Sequence, residues 1–252
     1  MTNVLLALLL VQGSDAKPAD DLAALRSEAA KALRDTAKAG AFSVAGEMEF
    51  ETDNDEMKEM VAEWFEEPPE ISGTASSGPF KGHGRLQMGG TRYDVFHDGG
   101  TVERITWRGW QEYFDQTADE ILSLLDLESL ATAAGEATDA KSLPDGKAGD
   151  VECRSMRLVL KPTAVKSYIE IEGFEDFADE MRPKKVGLRL WIGKSDGLVH
   201  KGEWVVGREE IVAEMEGEDK TYVLDRVYTV TLSDHGKAKV EIPADVRGMM
   251  KD

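Results

Sequence analysis

From Phe42 the chain alternates. Phe42, Val44, Met48 and Phe50 fall on one side and Ser43, Glu47, Glu49 and Glu51 on the other. This period of two marks a strand with one dry and one wet face. It returns at Met156, Leu158 and Leu160 against Ser155, Arg157 and Val159, and at Leu188, Leu190 and Ile192 against Arg189 and Trp191. Near the end, Tyr228, Val230 and Leu232 oppose Thr229 and Thr231. Turn clusters separate the runs: Asp98-Gly99-Gly100 joins Tyr93 and Val95 to a return over 101–107, and Lys194-Ser195-Asp196-Gly197 leads into a strand over about 198–206. Consecutive strands joined by short turns predict an antiparallel meander.

Elsewhere the period is helical. Asp20-Asp21 precede Leu22, Leu25, Ala29, Ala32 and Leu33, predicting a capped helix over 20–38 that Ala39-Gly40 ends. Met57, Met60, Val61, Trp64 and Phe65 stand at i, i+3, i+4, i+7 and i+8 between acidic residues, a short amphipathic helix stopped by Pro68-Pro69. Over 116–134, Ile121, Leu122, Leu124, Leu125, Leu127 and Leu130 cover nearly the whole helical circumference, so this helix requires burial on several sides. Residues 134–150 read as a loop containing Pro144, and 163–182 as partly helical. The predicted class is α+β, mainly antiparallel β.

With 252 residues, 41% of them hydrophobic, the chain can build one large domain, expected over 17–252. Its 49 acids against 30 bases give a formal charge of −19, which repels phosphate backbones, and nucleic acid is not an expected partner. Such a balance also keeps a protein dissolved. Val4 to Val11 is an unbroken apolar run, far shorter than the roughly 20 residues of a membrane-spanning helix. Small residues follow at Ser14 and Ala16, predicting a signal peptide over 1–16, cleaved after Ala16, and a periplasmic or secreted product. No later segment predicts a membrane span. The only cysteine, Cys153, cannot serve as an anchoring residue after the signal or form an intrachain disulfide.

Candidate chemistry is sparse. His83, His97, His200 and His235 are scattered without metal-ligand spacing, and the chain carries no phosphate-cradling loop, dinucleotide fingerprint or nucleophile elbow. Asp53-Asn54-Asp55 opens like a calcium loop, but Lys58 and Trp64 stand where Gly and Glu are required. No catalytic residue, metal or cofactor is expected, so the predicted role is non-enzymatic. A hydrolase using a carboxylate pair without a motif is a third reading, because 49 acids produce pairs by chance. The Met57/Met60/Val61/Trp64/Phe65 stripe reads either as an adaptable apolar surface or as ordinary docking onto the sheet. The five tryptophans, Trp191 and Trp204 among them, read as cavity lining or as plain packing.

One segment carries a resemblance. Leu190-Trp191-Ile192-Gly193-Lys194-Ser195-Asp196-Gly197-Leu198-Val199-His200-Lys201 is similar to the strand, Asp-Gly turn, strand unit of the lipoprotein-carrier-like (LolA-like) superfamily of envelope lipid-binding proteins. Tyr228 to Lys237 followed by Val240-Glu241-Ile242-Pro243 resembles the finish of its lipid-binding members. The motifs span about 186–244. The resemblance implies a curved, open half-barrel sheet whose concave face is covered by helices and accepts a lipid or lipoprotein acyl chain. Ile121, Leu124 and Leu125 would then plug the concavity, and the 57–65 stripe would be its mobile lid. The superfamily also contains sensors, so a protein-interaction or regulatory module for an envelope protein is the alternative.

Overall fold

Asp21 opens the first helix by accepting a hydrogen bond from the Ala23 amide at 3.0 Å, and α1 (Leu22–Lys38) buries Leu25, Ala29 and Leu33 on the stripe their spacing defines. The structure is a computed structural model. It describes residues 21–52, 54, 55, 58, 59, 62, 68–88, 90–105, 109–112, 116–164, 185–215 and 218–250. The expected signal segment over 1–16 lies outside them.

A first meander follows α1: β1 (Phe42–Glu51), β2 (Glu70–Ser76), β3 (Lys81–Met88), β4 (Thr91–Asp98), β5 (Thr101–Ile105) and β6 (Gly109–Glu112). Two helices, α2 (Gln116–Leu125) and α3 (Leu127–Gly135), lead to a second: β7 (Asp139–Ala148), β8 (Val151–Leu160), β9 (Lys185–Gly193), β10 (Val199–Met215) and β11 (Glu218–Ser233). A short α4 (Ala244–Met249) ends the described chain. Among the described residues, eleven strands form one sheet in the order β6-β5-β4-β3-β2-β1-β11-β10-β9-β8-β7, and every pairing is antiparallel. The first and last strands therefore meet at the centre, with Val44 opposite Leu232 and Met48 opposite Tyr228. The sheet is curled but unclosed, an open half-barrel of the α+β class.

Register divides the side chains between two faces. Along one row of the inner face, Met48, Tyr228, Trp204, Leu188, Leu158 and Ala140 lie side by side across six strands. The first five are buried in one core cluster that also takes in the apolar faces of α1, α2 and α3. A fully buried Leu or Phe side chain here stabilises the fold by about 1.5–3 kcal/mol. The helices sit over different halves: α1 lies against α3 and over β7, β8 and β10, whereas α2 covers β2, β3 and β4. Thr36 ties α1 to the sheet, its hydroxyl donating to Ala32 O at 2.7 Å and accepting from the Val199 amide at 2.8 Å.

Two local expectations change. The helix predicted over 116–134 breaks at Asp126, whose carboxylate caps α3 through the Ser129 amide at 3.1 Å and its hydroxyl at 2.6 Å. Residues 139–148, read as loop, form the edge strand β7. Its register shifts between Leu143 and Gly146, which accommodates Pro144 at the edge of the sheet. Beyond Gly207 and Asp225, β10 and β11 continue paired to each other as far as Met215 and Glu218, a two-stranded arm that extends past the ends of β9 and β1.

Candidate functional site

The concavity is approached closely by α2 because the strands beneath it lack side chains. Val44, Gly73, Gly84 and Val95 form one inner row across β1 to β4. A methyl group at Gly84 would collide with the Ile121 side chain, and one at Gly73 would lie 3.0 Å from Leu125. Two glycines thus form a shallow seat, and Ile121, Leu124 and Leu125 fill it, each at most 2% exposed. The all-round apolar pattern of this helix is explained: one side meets the sheet and another meets α3.

Two rows further along β1, beside the buried Met48, the strand borders a cleft. It has a volume of about 290 Å³ and is lined by Met48, Glu49, Phe50, Lys58, Ala62, Pro68 and Pro69. This is near the lower end of the about 300–1,000 Å³ typical of ligand sites. Pro69 fixes one wall by accepting the Met48 amide at 2.7 Å, and Lys58 carries the cationic group, paired with Asp55 at 2.8 Å. Asp55, Lys58, Glu59 and Ala62 have helical backbone, as the period predicted. Met57, Met60, Val61, Trp64 and Phe65 themselves lie outside the described residues.

The two tryptophans part company. Trp204 lies on the inner face, 2% exposed, its six-membered ring laid over Gly202. Its indole Nε1 is buried and has no hydrogen-bond acceptor among the described residues. Such a donor costs about 1–3 kcal/mol unless something accepts from it. Trp191 is on the outer face, packed with Ala148 and Cys153 beneath the Arg189 guanidinium at 4.2 Å and the Lys201 ammonium at 4.6 Å from its ring centre. The structure brings Ile121, Leu124, Leu125 and Trp204 into one core and leaves Trp191 apart.

Among the described residues, reactive groups do not converge on the cleft. Burial pushes the Cys153 thiol up from its ordinary value, which disfavours the nucleophilic thiolate. Among the described residues, no group of His, Cys, Asp or Glu has the geometry to hold a metal ion. Reading the sequence overlooked Met48, Phe50, Pro68 and Pro69 as lining residues. The dry face of β1 was visible as a pattern, but that Pro68 and Pro69 come to lie beside Met48 is set by the fold.

No family model matches the chain, and no curated protein matches it significantly. Solved structures do. The chain is similar to the Mycobacterium tuberculosis lipoprotein LppX, with 10% identity, 86% of this chain and 98% of that one covered, and a TM-score of 0.47. It is similar to LprF from Mycobacterium bovis at 12% identity, 86% and 97% coverage and a TM-score of 0.44. A putative outer membrane lipoprotein-sorting protein domain from Vibrio parahaemolyticus gives 10%, 90% and 98%, with 0.37. Among the described residues, no helix is long and apolar enough to cross a membrane.

Proposed function

We propose that this is an envelope protein that binds the acyl chain of a lipid or lipoprotein at the open end of its half-barrel, without catalysing a reaction. The observation that carries the reading is the cleft beside β1, lined by Met48, Glu49, Phe50, Lys58, Ala62, Pro68 and Pro69. Each methylene buried there contributes about 0.8 kcal/mol. The buried Trp204 indole donor supports the reading, since an ester carbonyl reaching the inner face would supply the acceptor it lacks among the described residues. In this reading Met57, Met60, Val61, Trp64 and Phe65 cover the cleft, Ile121, Leu124 and Leu125 close the opposite end, and Trp191 belongs to the outer surface. A signal peptide over 1–16 delivers a single domain, 17–252, to the periplasm or exterior.

Native mass spectrometry of the protein purified from its own host is expected to show co-purified lipid. The delipidated protein is expected to take up a fluorescent fatty acid, and Ala62→Trp, which fills the cleft from a surface position, should weaken uptake at least tenfold. A clean apo mass together with no uptake would sink the proposal. It would leave the docking-module reading, for which the projecting β10–β11 arm offers a surface.

A further inference from the structure

The chain beyond β11 forms a strap that the acyl-binding reading does not use. It leaves the centre of the sheet at Ser233, opposite Ser43 of β1, turns over 234–238 and ends in α4 against β4 and β5. Phe96 and Val102 pair there across the two strands, on the face opposite Val95. Ile242 and Val246 bury against them, with Val240 and Met250 packed partly alongside. This cluster is separate from the main core, so the far end of the strap rests on a small apolar contact of its own.

The near end is held where three turns meet. The Gly236 amide donates to Ala41 O at 2.8 Å, and the Lys237 and Ala238 amides donate to Asp234 O at 2.8 and 3.0 Å. Gly236 packs so closely on the end of α1 that a methyl group added to it would lie 2.5 Å from Ala39 O. His235 sits between these contacts. Both its ring nitrogens are buried without a hydrogen-bond partner among the described residues, and the His200 ring lies edge-on with centroids 5.2 Å apart. His200 in turn donates from Nε2 to Asp196 Oδ2 at 2.9 Å, in the turn between β9 and β10.

A buried ring in this position tolerates the neutral form far better than the charged one. Burial first, and then the His200 charge, push the His235 pKa down, and the opposing pull of Asp196 and Asp234 does not make up the difference. Both carboxylates are exposed, so solvent screens them. The other charges of these elements offer no counter-ion. On α1, Asp35 is paired with Lys31 and Lys38 is exposed; in the β9–β10 turn Lys194 pairs with Asp145 at 2.6 Å; in the strap Lys237 is exposed. Once the strap is open, His235 regains an ordinary value of about 6.5. The open form therefore takes up the proton more readily, and opening is favoured as pH falls below that value.

We infer that His235 is an acid-operated latch: on taking up a proton it leaves its place beside His200, and the strap over 234–250 lifts from β4 and β5 and uncovers Phe96 and Val102. The latch is remote from the cleft residues and needs no acyl ligand.

Hydrogen exchange of the full chain, read by mass spectrometry from about pH 7.5 down to about pH 5.5 with labelling times scaled to the intrinsic rate, is the direct test. Protection over 234–250 should fall below about pH 6.5 by up to about tenfold per pH unit, while β8 and β9 keep theirs. A strap whose protection does not change, or one that loses no more than β8 and β9 do, would overturn the latch. His235→Asn, which cannot take up the proton, should abolish the acid response, and a full response in that variant would equally overturn it. Should His235→Asn fail to fold, His200→Gln decides. It removes the charge that resists protonation of His235 in the closed strap, so a smaller acid response supports the latch and an undiminished one overturns it.

Discussion

His235 shows how a single side chain couples this fold to pH. Both of its ring nitrogens are buried without a hydrogen-bond partner among the described residues, and the His200 ring lies edge-on at 5.2 Å. Burial first, and then the His200 charge, lower its pKa from 6.5, against the opposing pull of Asp196 and Asp234. A lowered folded pKa means that the unfolded chain takes up the proton more readily. Stability is therefore complete above about pH 6.5 and declines as pH falls below it, by at most about 1.4 kcal/mol per pH unit for this group. Urea unfolding across that range should show the decline, and His235→Asn should flatten it. An identical slope in the variant would assign the dependence elsewhere. No reading of sequence finds this pair. His200 and His235 stand 35 positions apart, and only the register of β10 on β11, with Lys201 opposite Thr231, brings their neighbourhoods together.

At the scale of elements, the dependence of α2 on two glycines is the sharpest point. Gly84→Ala places a methyl group into Ile121, which is β-branched, fully buried and unable to swing aside. A loss of about 1–3 kcal/mol is expected from overpacking. Gly84→Ala combined with Ile121→Ala should lose less than the sum of the two single variants, because the first fills space the second vacates. Simple additivity in chemical denaturation would show that α2 does not rest on this seat. Periodicity was a good guide here: α1 begins after its predicted cap, β1, β9 and β11 carry the predicted alternation, and Ile121, Leu124, Leu125, Leu127 and Leu130 are buried, with Leu122 partly so. Periodicity failed where exposure blurred it. β7 is a half-exposed edge strand interrupted near Pro144, so no face repeats cleanly enough to register. The break at Asp126 was masked because leucines continue on both sides of it.

At the scale of the molecule, the main core among the described residues is shared by both meanders. α1 precedes the first meander in the chain but packs on α3 and over β7, β8 and β10 of the second, while α2, which follows the first meander, packs back onto it. With β1 and β11 joined at the centre, the halves share one interior. Thermal unfolding followed by circular dichroism and by tryptophan fluorescence is expected to give one coincident transition. Two separated transitions would contradict this shared interior. The central pairing also has a consequence for how the protein is made. Glu51 closes β1, yet its partner Asp225 lies 174 residues further on. At about 5–20 residues per second, a ribosome needs on the order of 10–30 s to supply it. Throughout that interval one edge of β1 has no neighbour to pair with, and the nascent chain is an open template for other strands. Newly made protein must be shielded until its last long strand emerges, so loss of β11, more than loss of any peripheral strand, should turn a soluble product into an aggregating one.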